Sequence, residues 1–268
     1  MTANSGGIGP PSYRDCLTGF RVCRTPNIQW ALVYDSGVPG HENERFMGKM
    51  SIYETTNAQF CQYLNAAKIS GDITINGNLV YGASGSNSGA DFVGQVYYDL
   101  TGVGYTYNGA TNGGAARINY NGSLFTVVSG FENHPVTYVT WHAATAFCNF
   151  YGYRLPTEWE WQDVADYDET YGYGCGTTIN NSIANYFGST HPNGTTAVGA
   201  FGSYGYGICD MAGNLREWTT SDYYSYPGSP VYRGGAWCDN GAPCSVNYRR
   251  GSNTPITRTY DIGFRARR

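Results

Sequence analysis

Helical spacing of apolar residues is confined to a few short stretches of this chain. At 46–67, FMGKMSIYETTNAQFCQYLNAA predicts a strand and then a helix that Thr56 or Asn57 caps. Phe60, Cys61 and Leu64 fall on one face of that helix. The chain therefore changes from strand spacing to helix spacing within one short segment.

A second strand-to-helix signal lies at 134–152, HPVTYVTWHAATAFCNFYG. Alternation through Val136, Tyr138 and Thr140 predicts the end of a strand. The helix that follows has one face formed by Trp141, Ala144, Phe147 and Cys148. A third short helix is predicted where RLPTEWEWQDVAD combines a proline-directed turn with an N-cap.

Between and before these elements the chain is rich in glycine, asparagine and tyrosine. Residues 70–130 contain short alternating runs with Asn-Gly steps, which predict hairpins in a β-rich insert. Residues 1–45 form a Gly/Pro-rich N-terminal arm, and we expect a single domain over 46–268. The prediction is an α+β chain with few short helices and strands and much loop.

Composition narrows the classes of function. The 268 residues include 37 Gly and 25 Tyr, and the net charge is only −4. No clustered basic face is evident, which argues against nucleic acid as a partner. No long apolar run occurs, so we expect no membrane span. The arginines that crowd the C-terminus are expected to make buried hydrogen bonds to carbonyl oxygens, with phosphate binding as the less favoured alternative.

Eight cysteines form an even set without zinc-like spacing. They favour disulfides, an oxidising compartment and a secreted, extracellular or cell-surface protein. Cys61 and Cys148 occupy similar points on two helices, so a cross-link between them is one option. The sequence does not fix the pairing.

Several segments, in their order, resemble the formylglycine-generating enzyme or sulfatase-modifying-factor family. They are YETTNAQFCQYLNA, PVTYVTW, RLPTEWEW, GYGICDMAGNLREW, YRGGAW and GFR. The resemblance spans about 46 to 265. It implies that family's irregular variant of the C-type lectin fold.

For catalytic members, the resemblance implies two cysteines after the RGG turn that bind copper(I). Here Cys244 matches the second of these, but Cys238 is one position early and Asp239 stands in the first place. Ala236 replaces the family serine, and Arg216 replaces a tryptophan. Cys238 and Cys244 are thus either a copper or redox pair or, as we favour, a disulfide that closes a small loop. Copper is expected only if the chain is an enzyme.

The resemblance also implies calcium at DMAGNLREW. The candidate ligands are Asp210, the carbonyl groups of Gly213 and Leu215, and Glu217. The alternative is that Asp210 and Asn214 only cap the turn while Glu217 pairs with an arginine. Glu158 and Glu160 face apart on a helix and are expected to be structural.

The C-terminal block also offers a candidate binding face. Its residues are Trp237, Asp239, Asn240, Asn247, Tyr248, Asn253 and Tyr260. Aromatic and short polar side chains suit adaptable recognition. Their types also resemble ligand-binding members of this fold that retroelements diversify.

Three functions follow from these observations. The first is a non-catalytic extracellular domain that binds a protein or glycan ligand, or assembles with copies of itself. The second is a copper-dependent oxidase that converts a peptide cysteine to formylglycine. The third is a retroelement-diversified ligand-binding protein.

Overall fold

The computed structural model describes residues 25–86, 92–103, 105–107, 110–113, 115–188, 194–224, 226–251 and 254–268. Cys16, Cys23 and the candidate binding residue Asn253 lie outside these ranges. The described residues form the helices α1 (Asn57–Ser70), α2 (Trp141–Phe150) and α3 (Glu158–Asp166). Their strands are β1 (Trp30–Tyr34), β2 (Met47–Ser51), β3 (Ile73–Asn76), β4 (Leu79–Gly82), β5 (Val96–Asp99), β6 (Tyr105–Tyr107), β7 (Ala110–Gly113), β8 (Ile118–Tyr120), β9 (Phe125–Val127), β10 (Arg216–Asp222), β11 (Pro230–Arg233) and β12 (Ile262–Gly263). The predicted α+β class with short elements is confirmed.

Threonine caps explain why the three helices begin where the sequence predicts. Thr56 accepts a hydrogen bond from the N–H of Gln59, whose side chain accepts one from Thr56 N–H in return. Thr157 and Glu160 form the same capping box at α3, and Thr140 caps α2. Each cap satisfies backbone donors that the first turn leaves unpaired, at a gain of about 1 kcal/mol.

The predicted strand through Val136, Tyr138 and Thr140 is wrong. Tyr138 has a φ of 58°, in the left-handed region, which breaks the alternation of an extended strand. The backbone N–H groups of this segment instead bind three separate parts of the chain: Val136 binds Thr55 O, Tyr138 binds Thr259 O, and Thr140 binds Tyr97 O. The segment therefore ties distant loops together rather than joining one sheet.

Small separate sheets carry the strands. β1 pairs with β2 along its whole length, although β1 belongs to the predicted N-terminal arm. Hairpins β3–β4 and β8–β9 turn at Asn-Gly steps, with Gly77 and Gly122 at positive φ. A three-stranded sheet has the order β11-β10-β12, in which β11 is antiparallel and β12 parallel to β10. Glu217 on its central strand therefore lies between Arg233 and Gly263, which brings together the two ends of the C-terminal block.

The main core packs α1 and α2 against β10 and the end of the chain. Phe60, Phe147, Trp218 and Phe264 are fully buried there, and the Phe147 and Phe264 rings meet edge to face at 5.2 Å. Of the helices in the described part of the chain, none combines the length and apolar composition that a membrane crossing requires.

Cys61 on α1 and Cys148 on α2 both lie in this core as free thiols. The option of a cross-link between them is therefore not realised. Burial raises the pKa of Cys61 to about 11, and burial also raises the pKa of Cys148. Both thiols thus behave as small apolar core groups.

Candidate functional site

Two consecutive glycines form the turn after β11. Gly234 and Gly235 have φ values of 94° and 67°, a conformation that strains other residues. A Cβ atom at Gly235 would lie 2.6 Å from Cys244 Sγ and 2.9 Å from its backbone nitrogen. This close approach fixes the loop of residues 236–244 over the end of the sheet.

An arginine between two aspartates occupies the centre of this block. Arg216, the first residue of β10, places Nη2 2.5 Å from Asp239 Oδ1, and its Nη1 binds Asp261 Oδ2. Burial acts to lower the pKa of the Arg216 guanidinium. The charges of Asp261 and Asp239 have a larger and opposite effect, so the pKa is raised. Asp239 Oδ2 also accepts a hydrogen bond of 3.0 Å from Ala236 N–H. Arg216, Asp239 and Asp261 therefore form a charged and mostly buried triad, which the two ion pairs and the hydrogen bond from Ala236 hold in place.

Cys238 and Cys244 flank this triad as free thiols, so the predicted disulfide between them is corrected. The two sulfurs approach different oxygens: Cys238 Sγ lies 3.9 Å from Asp261 Oδ2, and Cys244 Sγ lies 3.7 Å from Asn240 O. Burial, with Asp261 and Asp239 adding to it, raises the pKa of Cys238 to about 12. Burial likewise raises the pKa of Cys244 to about 12. Both groups are protonated thiols near neutral pH.

The Glu217 carboxylate lies at the centre of the turn predicted to bind calcium. Its Oε2 accepts hydrogen bonds from Arg265 Nε at 2.6 Å and Trp161 Nε1 at 2.8 Å. Its Oε1 accepts one from Arg265 Nη2 at 2.6 Å. Both oxygens are thus engaged, which matches the alternative in which Glu217 pairs with an arginine.

Asp210, another ligand candidate, and the backbone N–H groups of Gly213 and Leu215 also make protein contacts. Asp210 Oδ2 accepts a hydrogen bond of 2.6 Å from Gly199 N–H, and Leu215 N–H donates to Glu54 Oε1 at 3.0 Å. Gly213 N–H donates to Gly234 O at 2.8 Å. Among the described residues, no group of three or more His, Cys, Asp or Glu side chains is arranged to hold a metal ion. The arrangement does not fit calcium unless Glu217 leaves Arg265, and calcium here stays a prediction.

Glu158 and Glu160 have separate structural partners, as expected for residues that face apart. Glu160 pairs with Arg154 at 2.6 Å and Arg267 at 2.8 Å. Glu158 binds Arg233 and Arg249. Four of the late arginines, Arg249, Arg258, Arg265 and Arg267, thus bind carboxylates, whereas carbonyl partners were expected.

Arg265 makes the predicted buried hydrogen bonds to carbonyl oxygens in addition to its pair with Glu217. Its guanidinium donates to the carbonyl oxygens of Ser51 at 3.1 Å and Cys209 at 2.9 Å. The side chain is fully buried. It therefore ties the C-terminus to β2 and to the turn before β10.

The residues of the predicted binding face are placed unequally. Trp237 is buried, and its Nε1 donates to Tyr260 O at 3.3 Å. Asp239 is taken by Arg216, whereas Asn240, Asn247 and Tyr248 are exposed. A crevice too narrow to hold a water molecule is lined by Arg216, Tyr232, Arg233, Gly235, Pro243 and Tyr248. Contact with a partner at this face would fall mainly on the exposed residues.

Sequence reasoning missed an aromatic cluster beside this face. Tyr223, Tyr224 and Tyr226 follow β10, and the Arg249 guanidinium lies 5.1 Å from the ring centres of Tyr223 and Tyr224. The available signal was the tyrosine-rich run SDYYSYPG at 221–228. No periodic pattern distinguishes such a run from an ordinary loop.

Sequence similarity to three other proteins covers about half of this chain. It is 33% identical over 171 residues to "Serine/threonine-protein kinase pkn1" of Chlamydia caviae, a match that covers 56% of this chain and 26% of that protein. It is 33% identical over 148 residues to "Inactive C-alpha-formylglycine-generating enzyme 2" of Bos taurus, covering 49% of each. It is 32% identical over 170 residues to "Formylglycine-generating enzyme" of Streptomyces coelicolor, covering 52% of this chain and 54% of that one. The matches thus span between a quarter and about half of these relatives' lengths.

Solved structures show the same fold. "Crystal Structure of CarF" aligns with a TM-score of 0.56 at 20% identity and covers 90% of this chain and 96% of that one. "Treponema denticola variable protein 1" aligns with a TM-score of 0.52 at 19% identity and covers 88% and 92%. The predicted formylglycine-generating-enzyme-like variant of the C-type lectin fold is confirmed. Because the model of the sulfatase-modifying factor enzyme 1-like domain matches residues 18–268, nearly the whole chain, this protein belongs to that family.

Proposed function

We propose that this chain is a non-catalytic member of its family, which uses the scaffold to bind a ligand or to assemble with other subunits. The observation that carries the proposal is the triad of Arg216, Asp239 and Asp261. By resemblance, Asp239 stands where catalytic members keep the first copper cysteine. A carboxylate paired with arginine is a hard, charged group, whereas copper(I) prefers soft thiolates.

The two neighbouring thiols support the same proposal. Copper(I) binds the thiolate form of cysteine, and a pKa of about 12 keeps Cys238 and Cys244 protonated near neutral pH. Their hydrogen bonds run to different acceptors, Asp261 Oδ2 and the carbonyl oxygen of Asn240. A copper ion would therefore have to displace two protons and reorganise a loop that Gly235 and Arg216 hold in place.

A relative named as an inactive enzyme supports a non-catalytic role, since that scaffold is retained in a protein whose name denies the activity.

The contact surface we propose comprises Asn240, Asn247, Tyr248 and Tyr260. Diversification by retroelements remains an alternative origin for this face. We place the protein outside the cell or at its surface, a proposal that fractionation of the producing cells tests.

Assay of peptide oxidation tests the non-catalytic proposal directly. We expect the purified protein, supplied with copper(I), oxygen and a reductant, to leave the cysteine of a sulfatase-like peptide unchanged by mass spectrometry. The Streptomyces coelicolor enzyme serves as the positive control under the same conditions. Formylglycine production that disappears in Cys244→Ser would overturn the proposal and establish the oxidase alternative.

A further inference from the structure

One edge of the sheet that contains β1 has no partner strand among the described residues. Asp35 N–H donates to Phe46 O at 3.0 Å at the end of the β1–β2 pairing. Because backbone groups alternate along an antiparallel pair, those of Trp30 and Leu32 point away from β2. We call that side of the strand the outer edge of β1. Within the part of the chain that the structure describes, β1 pairs with β2 alone.

The outer edge of β1 lacks the features that keep such edges from pairing with other chains. The strand sequence WALVY carries no charge, and its register has no bulge. Its Leu32 and Tyr34 side chains are 51% and 61% exposed. The Tyr206 hydroxyl lies 3.4 Å from Tyr34 O and covers that end of the edge. Uncharged, exposed edges are usually covered by another segment, so a cover is expected from Trp30 to Leu32.

The opposite edge of the same sheet shows which kind of segment fits there. Ser51 N–H donates to Ala266 O, and Lys49 and Arg268 exchange two backbone hydrogen bonds of 2.9 and 2.7 Å. The segment that pairs with β2 in this way ends the sequence Gly-Phe-Arg-Ala-Arg-Arg at 263–268. The fourth and sixth residues of that sequence therefore make the backbone pairs.

A close copy of this sequence precedes β1 in the chain. Residues 19–24 read Gly-Phe-Arg-Val-Cys-Arg and are identical to 263–268 at four of six positions. They lie outside the described ranges, but the family match begins at residue 18 and so includes them in the domain. The fourth and sixth residues of the copy are Val22 and Arg24.

A tight turn separates this copy from β1. Ile28 N–H donates to Pro26 O at 2.8 Å, which closes the turn at Asn27. A chain that reverses there returns along β1, and β2 already occupies the inner side of that strand. The outer edge is therefore the side that the turn leaves for a returning segment.

We propose that the outer edge of β1 is the docking site of residues 20–24 of the same chain, which add one antiparallel strand to the sheet. Counting outward from the turn, Arg24 lies opposite Trp30. Val22 lies opposite Leu32 and covers its exposed side chain. These are the same fourth and sixth positions of the repeated sequence that pair with β2 at the opposite edge.

Disulfide trapping in the whole chain tests this register. Cys23 lies opposite Ala31 as a non-hydrogen-bonded pair, whose Cα atoms are about 4.5 Å apart, within the span of a disulfide. In a Cys16→Ser background, we expect Ala31→Cys to form a disulfide with Cys23 on oxidation by glutathione disulfide, identified by mass spectrometry of the unreduced digest. The matched control is Leu32→Cys, which places the thiol on the other face and should cross-link at least about tenfold less.

Hydrogen exchange measured by NMR gives a second test that leaves Ala31 in place. In the unsubstituted chain the Leu32 N–H should exchange slowly, because it donates to the carbonyl oxygen of Val22. Val22→Pro removes the N–H that donates to Leu32 in return and should speed exchange of the Leu32 N–H by at least about tenfold. Arg21→Pro is the matched control, because the N–H of that residue points away from β1 in this register and proline is tolerated there.

The outcomes that overturn the proposal are distinct. Equal cross-linking of Ala31→Cys and Leu32→Cys, or none of either, refutes the register. Fast exchange of the Leu32 N–H in the unsubstituted chain refutes docking at this edge. A disulfide that joins two chains would show that the edge takes the segment of a second copy instead. None of these results bears on the peptide-oxidation assay, which alone decides whether the chain is an enzyme.

Discussion

Replacing Arg265 with methionine is expected to destabilise the fold by about 3–5 kcal/mol, because it leaves a buried carboxylate without its partner. Arg265 is fully buried and holds both oxygens of Glu217 at 2.6 Å. Glu54 and Asp210 lie in the same region. Burial, with the charges of Asp210 and Glu217, holds the pKa of Glu54 well above its usual range. Burial raises the pKa of Asp210 to about 6. The guanidinium is thus the shared counter-charge of three acidic groups.

Urea unfolding followed by tryptophan fluorescence measures this loss. The control is Arg258→Met, which breaks the partly exposed pair with Asp99 and should cost less than about 1 kcal/mol. Adding Glu217→Gln to Arg265→Met should recover part of the stability, because it removes the unpaired charge. Equal losses for Arg265→Met and Arg258→Met would show that the Arg265 cluster is not a main source of stability.

The family and the helices could be predicted because their signals are local. Thr56 and Thr157 cap their helices through residues three positions away, so the pattern is visible in a short window. The RGG turn and the Gly-Phe-Arg segment are likewise contiguous. Their order along the chain was enough to identify the fold.

The chemistry of the site could not be predicted because its contacts join distant residues. Arg216 binds Asp239 and Asp261, which lie 23 and 45 positions away. Sequence reasoning compared each of these positions with a relative separately, and so noted Arg216 and Asp239 as replacements without pairing them. The prediction of a Cys238–Cys244 disulfide failed for a similar reason, because cysteine count carries no information on where each sulfur points.

Three aspartates at the packing of α3 against the loop before β2 make stability depend on pH. Asp163 is 1% exposed, and its Oδ2 accepts a hydrogen bond of 2.7 Å from Phe46 N–H. Burial and the neighbouring charge of Asp35 raise the pKa of Asp163 to about 7, and Asp166 adds to this. The N–H groups of Phe46 and Val38 act in the opposite direction but do not prevail. Burial and Asp35 also raise the pKa of Asp166, to about 6.

Asp163→Asn is therefore expected to stabilise the protein by about 1–2 kcal/mol at pH 8 and to have little effect near pH 4. The pKa of Asp163 in the folded state is above its unfolded value of about 3.9. The stability that protonation of Asp163 supplies is therefore complete below about pH 3.9. It is lost as the pH rises toward about 7, where the carboxylate ionises beside Asp35. Asparagine keeps an oxygen that can accept the Phe46 N–H but carries no charge. Urea unfolding across this pH range measures the difference, with Asp222→Asn as an exposed control. A stability difference that does not change with pH would show that folding leaves the pKa of Asp163 unchanged, because the two curves diverge only when the folded and unfolded states bind different numbers of protons.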